Sequence, residues 1–170
     1  HYSKKRLLDE LEQVIWHVNP RNLDIDQIVS MCHREGMYEA MMYVWNKSMH
    51  DYVSPVVEML KVVRSVLRDE ANSDNQQNVH NRQHSEKLFD YLKLILTGKS
   101  FPEGSTILAS DEASDARSAV YSFVFSGRCV VWPPVGGKLV LTADDDEGFS
   151  EPTYPYLRLL LRFNTKKFLE

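Results

Sequence analysis

Apolar residues recur along most of this chain at helical rather than strand spacing. Leu7, Leu11, Val14 and Val18 form one stripe, Leu8 and Ile15 lie beside it, and Lys4, Lys5, Arg6, Glu10 and Glu12 fall outside it. The spacing predicts a first helix that Asn19-Pro20 ends, because proline disfavours the helical region for the residue before it. A second helix is predicted from Asp24, where Asp24 and Gln27 have capping-box spacing and Leu23 can staple onto Ile28. Its stripe is Ile25, Ile28, Val29 and Cys32, and Gly36 suits a left-handed C-terminal turn.

A third helix follows from about Met37 to Met49. Met37, Met41, Val44 and Ser48 share one side, and Tyr38, Met42, Trp45 and Met49 form the neighbouring stripe. A helix apolar over so much of its circumference belongs between layers, with Met41 and Trp45 expected in the core. Ser54-Pro55 opens a fourth helix, with serine as the cap, carrying Val56, Met59, Val63 and Val66 with Leu60 and Leu67 at the flanks. Residues 71–84 then turn rich in Asn and Gln, with one isolated valine, and predict a disordered loop. Beyond it come a fifth helix from about Ser85 to Thr97, stopped by Gly98, and a sixth from about Asp111 to Ser126, closed by Gly127.

Two β-prone runs, Cys129 to Trp132 and Lys138 to Thr142, flank Pro133-Pro134 and Gly136-Gly137. They predict a loop or hairpin excursion over 128–152. The last segment reads as a short helix to Arg162, with Asn164 or Thr165 starting another. Helix after helix, without a βαβ unit, predicts an all-α chain in which antiparallel helix pairs stack as an α-solenoid, here one segment over 1–170 of a longer array. No strict period is visible in the sequence.

Composition adds little to this and excludes much. The chain has 170 residues, 43% hydrophobic and 26% charged, ordinary for a globular domain. A chain of this size can bury about 70% of its unfolded surface, so its core needs no disulfide or metal. A net charge of −4 and scattered basic residues give no nucleic-acid footprint. Charge is uneven: 101–152 holds nine acidic against three basic residues, and 153–170 holds four basic against one acidic. The acidic part reads as solvated loop. No apolar run reaches membrane-spanning length.

Candidate chemistry is thin. The two cysteines, Cys32 and Cys129, lie far apart, have no ligand spacing and read as reduced thiols. The four methionines and four large aromatics of residues 36–55 resemble a soft-metal or stacking site, but on a doubly apolar helix they read as packing. His50-Asp51 could be half of a catalytic dyad. The pair sits where a helix ends, its side chains diverge, and no nucleophile elbow exists to complete it. His80 and His84 have i, i+4 spacing inside the Asn/Gln segment. The acidic run over 143–148 lacks the alternation of a calcium loop, and Val135 to Lys138 lacks the rest of a phosphate-binding loop. No catalytic residue, metal ligand or cofactor site is therefore assigned. The one candidate for partner contact is the patch Val131, Trp132 and Pro133, weighed against a hairpin folded back over the solenoid edge.

Three separated segments carry a resemblance. They are Leu23 to Leu60 (with YVWN at 43–46 and DYVSP at 51–55), LTGKSFPEG at 96–104, and YPYLRLLLRFNTKKFL at 154–169. In that order they resemble the vacuolar protein sorting-associated protein 8 family, with Asn164 where the family usually has aspartate. Residues 71–84 and 128–152 fall outside the resemblance. The resemblance implies a clathrin-heavy-chain-repeat-like solenoid from a subunit of CORVET, the endosomal tethering complex, whose core is shared with HOPS. It implies a non-enzymatic, cytoplasmic scaffold, peripheral on the early endosome membrane, that works in endosome fusion and endosome-to-vacuole or lysosome protein transport. The family's contact with a Rab GTPase is attributed to regions outside this segment, so no residue here inherits it. A stand-alone helical adaptor that docks a peptide and a small helical hydrolase are the alternatives.

Overall fold

The computed structural model describes residues 2–19, 22–70, 76–140 and 153–170. Among these the chain is an all-α solenoid of seven helices and one small hairpin: α1 (Tyr2–His17), α2 (Ile25–Glu35), α3 (Tyr38–Met49), α4 (Ser54–Glu70), α5 (Gln76–Leu96), α6 (Ser110–Val124), β1 (Val131–Trp132), β2 (Lys138–Leu139) and α7 (Pro155–Leu169). From α2 to α6 each helix packs on the next. In addition α1 lies on α3, and α7 returns to pack on α4 and α6.

The helix ends are set by local chemistry. The Asp24 side chain accepts from the Gln27 N–H at 3.1 Å and starts α2. Gly36 ends α2 at φ 74°, and the Met37 N–H reaches back to the Cys32 carbonyl at 2.8 Å, the bond of a Schellman motif. Gly98 ends α5 in the same way, with the Lys99 N–H on the Leu94 carbonyl. At α4 the structure corrects the expected cap. Ser54 is the first helical residue, and Asp51 is the acceptor, taking the Val53 and Ser54 N–H groups at 2.9 Å each. The α6 end also differs. Phe125 follows the helix at φ −96°, so no left-handed glycine closes it and Gly127 lies beyond the cap.

The core runs through α3, α4 and α5. Ala40, Met41, Met42 and Val44 on α3 are fully buried, as are Val56, Met59, Leu60 and Val63 on α4 and Leu88, Tyr91 and Ile95 on α5. The methionine-rich helix is thus a packing layer, although Trp45 is only half-buried and Met49 is exposed. On α1 the expected stripe is turned around. Leu8, Leu11 and Ile15 face the core, whereas Leu7 (64% exposed), Val14 (56%) and Val18 point away. Two adjacent apolar stripes compete on this helix, and α3 covers one of them.

The Asn/Gln segment also departs from expectation. Residues 71–75 lie outside the described residues, but α5 already begins at Gln76, so a disordered loop does not extend to residue 84. Tertiary contacts offset its poor composition. The Arg82 guanidinium donates to the Phe163 carbonyl at 3.1 Å and lies 5.0 Å over the Phe163 ring, and His84 meets Tyr38 edge-on. Residues 141–152, including the acidic run expected as a solvated loop, lie outside the described residues. In α7, Asn164 is non-helical (φ −159°, ψ 88°), and its Oδ1 accepts the Lys167 N–H at 3.0 Å. It breaks the helix and caps the turn that follows.

Candidate functional site

Polar side chains converge where the α3–α4 turn meets α6 and the hairpin. His50 closes α3 with φ 50°, a left-handed conformation. Its Nδ1 lies 2.9 Å from Glu112 Oε1 on α6, and the Tyr52 hydroxyl donates to the same oxygen. The Tyr52 hydrogen bond, with the His50 contact assisting, holds the Glu112 carboxyl below the usual glutamate range. Burial and the facing carboxylate push the Tyr52 phenol well up, so it stays a donor. Beneath them the Tyr91 hydroxyl, buried among α3, α4 and α5, bonds Asn46 Oδ1 at 2.9 Å and the Tyr52 carbonyl at 3.0 Å. Asp51 faces the other way and accepts from the Ser54 hydroxyl as well as from the backbone. The His50-Asp51 pair is therefore split between two structural tasks, one on α6 and one at the start of α4.

Ser54 links this turn to the hairpin, because the Trp132 indole N–H donates to Ser54 Oγ at 2.8 Å. The hairpin pairs Val131 with Leu139 and Trp132 with Lys138. Tyr156, fully buried on α7, clamps its base. Its hydroxyl accepts the Val130 N–H at 2.8 Å and donates to the Val140 carbonyl at 3.0 Å. The Phe123 ring stacks on Tyr156 at 4.3 Å and meets Trp132 edge-on at 6.4 Å. The hairpin thus folds back onto the helices, and Val135 at its tip is 90% exposed. Between the α3–α4 turn, α6 and Trp132 lies an open cleft of ≈ 530 Å³, with Glu112 and Asp115 on one wall and Met49 on another.

The structure separates the three residues expected at a partner contact. Trp132 is half-buried and turned inward as an anchor, while Val131 and Pro133 are exposed. The exposed apolar surface continues into Leu139, the cross-strand neighbour of Val131. The sequence reading missed Tyr156 and Glu112, and it gave Ser54 only a helix cap's role and not the acceptor's role towards Trp132. Each acts on a residue 16 to 78 positions away, and no local pattern carries such pairings.

The other expected chemistry is dispersed. Cys32 is fully buried and Cys129 half-buried, and burial raises the Cys32 thiol to about 11. Among the described residues no group of three or more His, Cys, Asp and Glu is placed to hold a metal ion. Among the same residues no helix is long and apolar enough to cross a membrane.

Comparison with known proteins supplies what the site chemistry does not. A family model described as "Vps8 central TPR" matches residues 1–170, the whole chain. The chain belongs to the Vps8 central TPR family. Vacuolar protein sorting-associated protein 8 from Saccharomyces cerevisiae is 30% identical over 172 residues, covering 99% of this chain and 13% of the yeast protein. The homologs from Mus musculus and Homo sapiens are 30% and 28% identical over 169 residues, covering 99% of this chain and 10% of each relative. The chain thus spans about a tenth of the length of the curated Vps8 relatives it matches.

Proposed function

We propose that this chain is a non-enzymatic scaffold segment of an endosomal membrane-tethering complex. It acts alongside a Rab GTPase in endosome fusion and endosome-to-vacuole or lysosome protein transport. The observation that carries this reading is whole-chain membership of a family whose relatives are named for vacuolar protein sorting. The fold supports it physically. Stacked helices give a stiff arm, so the segment transmits position rather than performing chemistry. The polar cluster at Glu112 is consistent with that role, because its groups hold a turn and a hairpin in place.

In this reading the segment works in the cytoplasm, on the surface of early endosomes, and attaches through the other CORVET subunits. The Rab contact lies elsewhere in the tether. The hairpin is the surface offered to another subunit: Val131, Pro133 and Leu139 form the contact face, and Trp132 and Tyr156 hold it. The test is co-purification of a full-length tether subunit carrying Val131→Asp and Leu139→Asp, together with an endosome-to-vacuole cargo-sorting assay. Loss of a partner subunit and missorting of cargo, with the variant's expression and melting unchanged, is the expected result. An intact complex with normal sorting would remove the hairpin from the interface. Normal sorting after deletion of the whole segment would remove the scaffold reading.

A further inference from the structure

A groove of ≈ 380 Å³ lies between α5, α6 and the end of α7. Its floor is apolar, formed by Phe89, Leu92, Val124 and Phe168, and its α6 wall is Tyr121 stacked on Phe125 at 4.5 Å. Tyr121 is 57% exposed, so a large aromatic pair lines an open trough. The last wall exists because Asn164 breaks α7. The final turn then carries Phe168 edge-on to Phe89, at 6.4 Å, and brings Glu170 to the groove.

We propose that this groove is the seat of the segment that follows Glu170 in a full-length chain of this family, entering as an amphipathic helix. Two observations commit the occupant. The family model describes a central region, and the Vps8 relatives extend far beyond the matched part, which covers 10–13% of them. The chain also leaves α7 at the groove itself, so a following helix needs only a short turn to lie on Tyr121 and Phe125. From α2 to α6 each helix packs on its sequence neighbour, and a helix in this trough continues that rule onto α7 and α6. The rim residues Asp90, Lys93 and Lys167 leave the occupant a polar outer face. The inference rests on the family's length and on the groove, and is independent of the tethering reading.

The experiment places a photo-cross-linking phenylalanine analogue at Tyr121 or, separately, at Lys93 in the full-length protein. Ser118, exposed on α6, serves as the control position. Both probe sites are open enough to accept the label without disturbing the core. Intrachain cross-links within about the first 20 residues after Glu170, a length set by one helix and its turn, are expected from both and not from Ser118. Cross-links to a separate polypeptide, to a remote part of the chain, or none at either site would overturn the proposal. A tethering defect without loss of these cross-links, or the reverse, keeps the two readings apart.

Discussion

Glu112 is a residue whose state the fold sets. Its carboxylate takes the Tyr52 hydroxyl and contacts the His50 ring, and the Tyr52 bond is the larger reason its pKa falls below the ordinary value of 4.5. A group held below its unfolded value contributes stability that is present above that value and lost as pH falls through the lowered one. Glu112→Gln should therefore cost about 1 kcal/mol near neutral pH, with the penalty shrinking as pH falls through the lowered value and the wild-type carboxylate takes up its proton. Thermal melts of both proteins across that range check it, and a penalty that stays constant with pH would mean the carboxylate charge is not what the turn uses. Glu12 runs the other way. Its burial raises its pKa against the lowering effect of the Ala40 N–H, so it favours the fold in the protonated state. At Tyr91 the hydroxyl has one proton and two acceptors within reach, while the buried Asn46 Nδ2 has no partner. Turning the Asn46 amide end for end lets Nδ2 donate to Tyr91 while Tyr91 donates to the Tyr52 carbonyl, which relieves the competition at Tyr91 but leaves Oδ1 in the position without a partner.

At the scale of elements, the hairpin depends on a glycine for space rather than for backbone freedom. A Cβ on Gly137 would overlap the Pro133 carbonyl oxygen and the Trp132 carbonyl carbon, both backbone atoms that cannot swing aside. Gly137→Ala should open the turn, weaken the Trp132–Ser54 bond and speed amide exchange over residues 130–140, while α3 and α4 stay protected. Hydrogen exchange read by mass spectrometry decides it, and unchanged protection across the hairpin would show that the turn relaxes around the methyl. What the sequence disclosed about elements follows the same division between local and distant causes. The Asp24 cap, the Gly36 and Gly98 stops and the break near Asn164 are contacts over three to five residues, and local pattern reads them. The start of α5 was hidden because Arg82 and His84 find their partners on α7 and α3. The clamp on the hairpin was hidden for the same reason, since Tyr156 on α7 closes it. Helical packing was legible because a 3.6-residue stripe is written in one segment. Which of two stripes on α1 turns inward was not, because α3 decides it.

That choice on α1 matters at the scale of the whole molecule. Leu7, Val14 and Val18 lie along the face away from α3, and Leu8, Leu11 and Ile15 lie against the core. A helix apolar on two faces suits an array, in which one face meets the unit behind and the other the unit ahead. The two faces should respond differently to the length of chain around them. In the 170-residue chain, Leu7→Lys with Val14→Lys should change stability by less than about 0.5 kcal/mol each, as surface changes do. Ile15→Ala, which opens a cavity under α1, should cost about 2–4 kcal/mol. In a full-length Vps8-type protein the lysine pair should become costly if a preceding unit covers that face, because two charges would then be buried without partners. Denaturant unfolding of the short chain and limited proteolysis of the long one provide the comparison. If the lysine pair is silent in both, α1 ends the packed array on that side. If it damages the short chain as much as Ile15→Ala does, the exposed stripe already has a seat within these 170 residues.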